Sequence, residues 1–583
     1  MTRVESAVNI GATVALFLLC FIGTVAAITH LGIGLDISDA GFYLLSYDQP
    51  NNVYVQTTLF GVIWDLISPF RGIVANRLYA VFLVQFAFAS LAIALCSHFD
   101  FRGGQSVIIA VLIGVAGSLH YLASWLPDPN YNLLNIIFIT FTWTAFFFLL
   151  TACRKSERAF GPAIAAWAFV IGALIVAGLL IKITSAALMG LTIVATYFWF
   201  DRHNLSVRRV GGLAVSSAGG ISVLVCALTL FGFSPLRVYE TMMDGYAVVK
   251  LLIPGTLGFA APLYSYWMEM SYLSVFALFY ICAGILLAVG LYCGKSLTSN
   301  ARILLSLVAG IGFAAAIVYM NAFRPTPEFI NGCFWAAAIL VMASAPLAPP
   351  GDRSKVVLLV LLAPLSLFIF TYGTGTGWAG QFTISAGLAW APIGTALVAL
   401  PRNARSILLT PILVLLTFGL LAAGDRAYLV PYRMGVSMDG ITESVPAGPY
   451  DDKLKVPSDL VPFYERLAAV QPMVQALDYR PMLIDMTGRA PIVAYLLGAK
   501  IPRTPWIFGG YEGSYAAFDL IVAKIDSAEL KRAWVLQSDN YEERFPNVLL
   551  TKRGLKFPDD YEKITEIPIP YIKSTGTLYA PKH

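Results

Sequence analysis

Long runs of apolar residues dominate this chain and limit what it can fold into. The first run extends from Asn9 to Leu31, and comparable runs follow at short intervals as far as residue 424. A helix needs about 20 apolar residues to cross the roughly 30 Å hydrocarbon core of a bilayer. Only helices and closed barrels satisfy their backbone polar groups in that core. The sequence therefore predicts an all-α polytopic membrane domain.

The runs are numerous enough to predict about thirteen transmembrane helices. They lie near residues 9–31, 78–97, 105–121, 133–152, 162–181, 183–200, 210–232, 271–293, 302–320, 329–349, 355–373, 382–400 and 406–424. Over all 583 residues, 58% are hydrophobic and 13% are charged. A soluble globule carries about 25% charged residues, so that class of protein is excluded.

Lysine and arginine are distributed unevenly between alternate loops. Counted from the N-terminus, one set of loops holds fourteen of these residues and the other holds six. Because cytoplasmic loops carry the excess of positive charge, we expect a multi-pass protein of the plasma (inner) membrane with a cytoplasmic N-terminus. The net charge of +5 largely reflects this bias and favours membrane lipids over nucleic acid as partners. Alternatively, Asn9–Leu31 is a signal peptide cleaved near Val25-Ala26-Ala27, which leaves the downstream topology unchanged.

Beyond residue 424 the composition changes abruptly, because charged residues become frequent and no further span follows. Because the N-terminus is expected in the cytoplasm and the number of spans is odd, we expect this region on the extracytoplasmic side of the membrane. We predict two domains, a transmembrane catalytic domain over 1–424 and an extracytoplasmic soluble α/β domain over 425–583. Apolar and helical patterns in the second domain predict strands at 481–485 and 533–537, and helices at 457–476, 490–499 and 515–531.

Two acids follow the first span directly, in the sequence Gly34-Leu-Asp36-Ile-Ser-Asp39-Ala-Gly-Phe-Tyr43. Ionisable residues at the rim of a span are usually retained for chemistry or ligand binding. If a helix begins at Ser38, then Asp36, Asp39 and Tyr43 can share one face. The alternative interpretation is local, since Ser38 or Asp39 can cap the helix.

A third acid, Asp128, lies in the second outer loop between aromatic and amide residues, and Asn132 follows it closely. Acids from successive outer loops can face one cavity. The alternative is an Asx-turn of Asp128 before Pro129.

Basic residues accompany these acids on the predicted outer side. Lys182 lies in the apolar segment between two spans, where it either extends to the headgroups or meets an anion. Arg324 lies in a short outer loop, where it can bind an anion or pair with Glu328. Arg77 precedes the second span and can serve as an interfacial anchor. Acids and cations at one membrane face suit a reaction that deprotonates a hydroxyl while a phosphate leaves.

Two further segments complete the candidate cavity. The glycine-rich segment Gly373–Gln381 predicts a close-packed turn, with Gln381 as a sugar contact. It lacks the Lys-Ser/Thr of a nucleotide loop. The apolar and aromatic segment Leu59–Ile67 predicts a helix lying in the membrane interface.

The order of these motifs resembles the GT-C superfamily of membrane glycosyltransferases, which includes protein O-mannosyltransferases and the lipid A aminoarabinose transferase. The resemblance depends on Ser38–Tyr43, on Asp128, on Gly178–Ser185 with its lysine, and on the C-terminal soluble domain. One departure concerns the family's frequent Asp-Glu pair, because Ala40 follows Asp39 here. Either Asp39 acts alone, or Asp36 supplies the second carboxylate.

The resemblance implies an inverting transfer of sugar from a polyprenyl-phosphate donor to a hydroxyl of a glycan, lipid or protein acceptor. Asp39 would be the general base and Asp128 would orient the acceptor or the sugar. Lys182 and Arg324 would stabilise the departing phosphate, with Arg77 as a weaker candidate. No metal or other cofactor is required, and a divalent cation, if used, would bind Asp36, Asp39 and Asp128.

Other functions remain open from the sequence. A transporter or flippase of a lipid-linked or anionic substrate would also place charges in a membrane domain, although such proteins hold them near the midplane and often have repeated halves. A polysaccharide polymerase or ligase with a diphosphate-linked donor and a non-catalytic assembly factor are the remaining alternatives.

Overall fold

The structure is a computed structural model that describes residues 3–101, 103–156, 160–201, 206–254, 326–374, 378–450, 452–539, 545–570 and 573–582, with side chains from residue 9 onward. Within these residues, ten helices are long and apolar enough to cross a membrane, and one bent pair of helices forms an eleventh candidate. Each coincides with a predicted span. The predicted spans 271–293 and 302–320 lie outside the described residues.

The membrane domain is a helix bundle with short helices between the candidate spans. Its helices are α1 (Arg3–His30), α2 (Asp39–Asp48), α3 (Phe60–Ile67), α4 (Ile73–His98), α5 (Gly104–Ser118), α6 (Tyr131–Lys155), α7 (Pro162–Ile181), α8 (Ile183–Asp201), α9 (Val207–Leu230), α10 (Pro235–Leu252), α11 (Pro327–Ala343), α12 (Pro350–Thr371), α13 (Trp378–Ile384), α14 (Gly387–Ala399) and α15 (Arg402–Leu429). A 3-10 helix, Leu119–Ser124, continues α5. Over the described residues, the all-helical membrane domain expected from the sequence is confirmed.

The core of the bundle forms around α6, whose residues are buried along most of its length. Helices α4, α7, α8 and α12 contact α6, and α5 packs against α4 and α14. Helices α13 and α14 meet at an angle of 58°, so the span predicted at 382–400 is broken where the chain passes Ser385. In the segment predicted as a turn, Gly373–Gln381, Gly373 has φ at +78°, residues 375–377 lie outside the described residues, and the part from Trp378 onward belongs to α13.

Helix α3 matches the helix predicted at Leu59–Ile67, but its surroundings differ from the expectation. Phe60 and Trp64 are buried inside the protein, and the Trp64 indole N–H donates to Asn76 Oδ1 at 2.7 Å. These rings therefore pack as core rather than facing lipid.

The residues after α15 form a small α/β domain, as the sequence predicted. Its strands are β1 (Ile441–Ala447), β2 (Asp452–Pro457), β3 (Leu483–Asp485), β4 (Trp534–Ser538), β5 (Tyr561–Ile569) and β6 (Ser574–Pro581), and its helices are α16 (Val461–Gln475), α17 (Ile492–Leu497), α18 (Ser514–Val522), α19 (Ser527–Lys531) and α20 (Val548–Thr551). One sheet has the order β3-β4-β6-β5, with β3 and β4 parallel and the other pairs antiparallel. Strands β1 and β2 form a separate hairpin.

Several predicted elements of this domain coincide with observed ones. Strands β3 and β4 and helices α16 and α17 match the prediction within a few residues, whereas the helix predicted at 515–531 is divided into α18 and α19. The sequence analysis missed the β1–β2 hairpin and strands β5 and β6. Strand β5 lies at the sheet edge and carries Pro568 and a register irregularity, features that obscure strand patterns.

The α/β domain is attached to the first loop of the membrane domain by backbone hydrogen bonds. Gly34 N–H donates to Lys455 O at 2.8 Å and Lys455 N–H donates to Gly32 O at 2.7 Å, which adds a short strand to the β1–β2 hairpin. The Asp452 carboxylate accepts a hydrogen bond from the Ile73 N–H at 2.6 Å. Ile73 is the first residue of α4, so this bond satisfies one of the N–H groups that have no partner within the helix. We call the end of the bundle that carries the loop 31–72 and the residues after 429 the domain face.

Candidate active site at the domain face

The N-terminus of α2 is capped by Asp36, whose side chain is 2% exposed. Its carboxylate accepts from the Ala40 N–H at 3.3 Å, from the Ser38 hydroxyl at 3.0 Å and from the Asp39 N–H. Ser38 occupies the cap position but makes no side-chain capping bond. The expectation that Ser38 or Asp39 caps this helix is therefore wrong, because the chain between Leu35 and Ser38 turns back and brings the earlier acid to the helix end.

Asp39 has a different environment, since its side chain is 18% exposed. Its Oδ2 atom accepts a hydrogen bond from the Tyr432 hydroxyl at 2.5 Å and lies 3.3 Å from Arg433 Nη1. The same nitrogen lies 3.9 Å from Asp36 Oδ2 and donates to the Ser38 hydroxyl. One guanidinium therefore serves both acids, and it comes from the segment that follows α15.

The sequence analysis did not single out Tyr432 or Arg433. The sequence did contain a signal for Arg433, because this residue follows the last span on the face that is otherwise poor in lysine and arginine. Its backbone is also unusual, with φ at +54°, a region that non-glycine residues rarely adopt and that is often associated with functional sites.

Burial and the Asp39 charge raise the pKa of Asp36 to about 6, while Arg433 opposes this change. Burial, together with the negative charge of Asp39, raises the pKa of Tyr432. The phenol therefore stays protonated at neutral pH and acts as a donor to Asp39.

Aromatic rings surround the same helix face. Tyr43 is one turn beyond Asp39 and is buried, and its ring centroid lies 6.1 Å from that of Tyr131 and 5.9 Å from that of Phe60. Phe42 lies 6.4 Å from Trp506 of the α/β domain. The acids thus lie beside an apolar wall built by α2, α3, α6 and the second domain.

Arg77 and Asp128, both predicted site residues, form a buried ion pair. Arg77 Nε and Nη2 donate to the two carboxylate oxygens of Asp128 at 2.8 and 2.9 Å, and the side chains are 0% and 2% exposed. The guanidinium also donates to the carbonyls of Leu31 at 2.7 Å and Gly34 at 2.9 Å. The pair therefore fixes the segment that leads from α1 to Asp36.

Lys182 lies between α7 and α8, where it is 7% exposed. Its Nζ donates to the Phe370 carbonyl at 2.6 Å, in the last turn of α12, where carbonyl groups carry partial negative charge. Asn135 and Ser185 also contact this carbonyl, each at 3.4 Å. Among the described residues, no carboxylate pairs with Lys182.

One face of α6 extends from the surroundings of Lys182 to those of Asp39. Asn135 lies one turn beyond Tyr131, a rise of about 6 Å, and Tyr131 contacts Tyr43 on the face of α2 that carries Asp39. Asn132, on the same helix end, has a buried Oδ1 atom with no hydrogen-bond partner in the described part of the chain. Buried acceptors without a partner are rare in folded proteins, and a catalytic role is one explanation for them.

The remaining predicted residues lie on α11 and α13 or outside the described chain. Glu328 is in the first turn of α11, and Gln381 is half-buried in α13. Thr383 of α13 donates to Asn331 Oδ1 of α11 at 3.2 Å, so these two helices are connected. Arg324 lies outside the described residues.

The three acids do not form one ligand set for a metal. Asp128 is occupied by Arg77, whereas Asp36 and Asp39 share Arg433. Across the described ranges, no group of three His, Cys, Asp or Glu residues is arranged to hold a metal ion. A divalent ion coordinated jointly by Asp36, Asp39 and Asp128 does not fit this arrangement.

No protein-family model and no curated protein matches the chain. Among solved structures, the chain is similar to ArnT from Cupriavidus metallidurans in the apo state, at 12% identity and a TM-score of 0.37, covering 97% of this chain and 98% of that one. It is also similar to the same protein bound to undecaprenyl phosphate, at 11% identity and a TM-score of 0.33, covering 96% and 97%. ArnT is the GT-C lipid A aminoarabinose transferase.

Proposed function

We propose that the protein is an inverting glycosyltransferase that moves a sugar from a polyprenyl-phosphate donor to an acceptor hydroxyl at the domain face. The observation that carries this proposal is the state of Asp39, a partly exposed carboxylate held at a helix N-terminus between a phenol and a guanidinium. A general base needs an ionised carboxylate that can reach the acceptor proton. Asp36, by contrast, is buried and occupied by capping bonds.

In the proposed reaction, Asp39 accepts the proton of the acceptor hydroxyl while the hydroxyl oxygen attacks the anomeric carbon. The new carbon–oxygen bond forms on the face opposite the phosphate, and the bond between the anomeric carbon and the phosphate oxygen breaks. The polyprenyl phosphate leaves with the electron pair, and the proton on Asp39 later passes to water. The products are the glycosylated acceptor, with inverted configuration, and the lipid phosphate.

Cations near the leaving phosphate would stabilise its developing charge. Lys182 is suited to this role because its ammonium has a backbone carbonyl as partner and no carboxylate among the described residues. Arg324 would be a second contact of the leaving phosphate. Asp128 and Arg77 would act by fixing the chain before Asp36, since they are bonded to each other, and Asn132, Tyr43, Glu328 and Gln381 would contact the sugar or the acceptor.

In this proposal the domain face lies on the extracytoplasmic side of the inner membrane. The lipid tail of the donor then remains in the bilayer while the sugar reaches the α2 N-terminus. The acceptor is a glycan, lipid or protein hydroxyl. The proposed chemistry requires no metal, since a monophosphate leaving group can be neutralised by protein cations.

The test is sugar transfer by the purified full-length chain in nanodiscs, with a panel of polyprenyl-phosphate and polyprenyl-diphosphate sugars and release of the polyprenyl phosphate or diphosphate as the readout. In Asp39→Asn, turnover should fall by at least about 100-fold, a typical contribution of a general base. Asp439→Asn is the control, because Asp439 is an exposed acid of the second domain. Normal turnover in a folded Asp39→Asn protein would reject the proposal, and transfer only from diphosphate-linked donors would favour a polymerase or ligase.

A further inference from the structure

The two oxygens of the Asp39 carboxylate have different surroundings. Oδ2 accepts from the Tyr432 hydroxyl at 2.5 Å and lies 3.3 Å from Arg433 Nη1. In the described part of the chain, Oδ1 accepts no hydrogen bond. The carboxylate therefore has one occupied oxygen and one oxygen that is available to another molecule.

We propose that Tyr432 and Arg433 are positioning residues that fix Oδ2 of Asp39 and thereby make Oδ1 the oxygen that takes the acceptor proton. This inference rests on the proposed function, because it assigns the proton to one atom of the same base. A carboxylate with one oxygen that accepts a hydrogen bond and also forms an ion pair cannot rotate freely about its terminal torsion. The base is then presented to the acceptor in one orientation.

The backbone of this segment supports the assignment. Arg433 has φ at +54°, and its guanidinium lies 5.0 Å from the Tyr432 ring, so the two side chains stabilise each other's position. Gly34 lies next to Met434, since a Cβ added at Gly34 would be 3.2 Å from the methionine sulfur. The segment 432–434 therefore contacts the loop that carries Asp36 and Asp39 at two places, through the Arg433 side chain and through Met434.

The charge environment of Asp39 comes from several elements. Asp36 lies in its own loop, Tyr43 on its own helix, Tyr131 on α6, and Tyr432 and Arg433 in the segment after α15. A hydrogen bond donated to the ionised form of a carboxylate favours that form. Replacing Tyr432 by phenylalanine therefore removes a hydrogen bond that favours the ionised carboxylate, without changing the other charged groups.

The experiment compares kcat against pH for the wild type and Tyr432→Phe, each also in an Asp36→Asn background that removes the titration of Asp36. We expect the acidic limb of the profile to move up by roughly 1 pH unit, kcat to fall by about 10-fold, and the donor KM to stay unchanged. Arg433→Gln should move the limb in the same direction, and Arg433→Lys should restore most of it. Tyr511→Phe is the matched control, because Tyr511 is 44% exposed in the second domain.

The outcomes separate this inference from the proposed function. If Asp39→Asn is inactive while Tyr432→Phe keeps the wild-type pH profile, the positioning role is wrong and the general base stands. A lower thermal midpoint in Tyr432→Phe with an unmoved acidic limb also overturns it, because that result describes a purely structural contact. If Asp39→Asn remains active, the proposed function itself fails.

Discussion

Replacing Asp128 by asparagine keeps the shape of the side chain but removes the negative charge that faces Arg77. The pair is almost fully buried, at 0% and 2% exposure, and the guanidinium has two bonds to this carboxylate. Breaking a buried ion pair by removing one partner costs about 3–5 kcal/mol, because the other charge is left uncompensated. The remaining carbonyl contacts of Arg77 with Leu31 and Gly34 do not neutralise it.

The consequence should be visible as a lower thermal midpoint of the full-length protein in detergent. At roughly 2 °C per kcal/mol for large domains, the Asp128→Asn midpoint should fall by about 6–10 °C. Arg77→Lys should fall comparably, because an ammonium cannot span both carboxylate oxygens and the carbonyls. Glu566→Gln is the control, because its pair with Lys563 is 57% and 53% exposed and such pairs contribute about 0–1 kcal/mol.

Turnover distinguishes this structural role from a direct role in binding sugar or acceptor. We expect Asp128→Asn to lose activity in proportion to its loss of folded protein, with the donor and acceptor KM of the folded fraction close to wild type. An unchanged midpoint combined with lost turnover would refute the reasoning. Asp128 would then act on the substrate, as the sequence analysis expected.

Two further predictions concern the acid next to Asp39 and the contact between the domains. The pKa of Asp36, raised by burial to about 6, means that this acid destabilises the fold once it ionises. Relative to wild type, Asp36→Asn should therefore gain thermal midpoint as pH rises from about 4 to about 7, and a difference that is constant over this range would contradict the assignment. Gly41→Ala places a Cβ 2.7 Å from the Ile492 Cα of the second domain and should cost about 1–3 kcal/mol, measured as a lower midpoint and reduced turnover. Gly11→Ala, whose added Cβ meets nothing within 4 Å, should show neither effect.

The predictability of the fold differed between the two domains for a physical reason. The length of an apolar run is a local property, and a bilayer converts it directly into a span, so each of the eleven described candidates was found in advance. The bend at Ser385 was not found, because it depends on how α13 and α14 pack against neighbouring helices. In the second domain the buried strand β4 was readable, whereas the edge strand β5 depends on its pairing with β6.

The candidate site shows the same division at the level of single residues. The sequence identified Asp39 as an acid at the rim of the first span, placed Lys182 among apolar residues and found Asp128 in the next loop. It did not indicate that Asp128 is paired with Arg77, nor that Asp36 caps α2.

What the sequence by itself determined is therefore the membrane domain, the second domain after it, and the acids and cations available at one face. The tertiary structure decided which of them meet. The Tyr432 hydroxyl reaches Asp39 across 393 positions of the chain, and contacts of that separation leave no mark in local hydrophobic or helical patterns. They arise only when the helices pack and bring the segment after the last span back to the loop after the first.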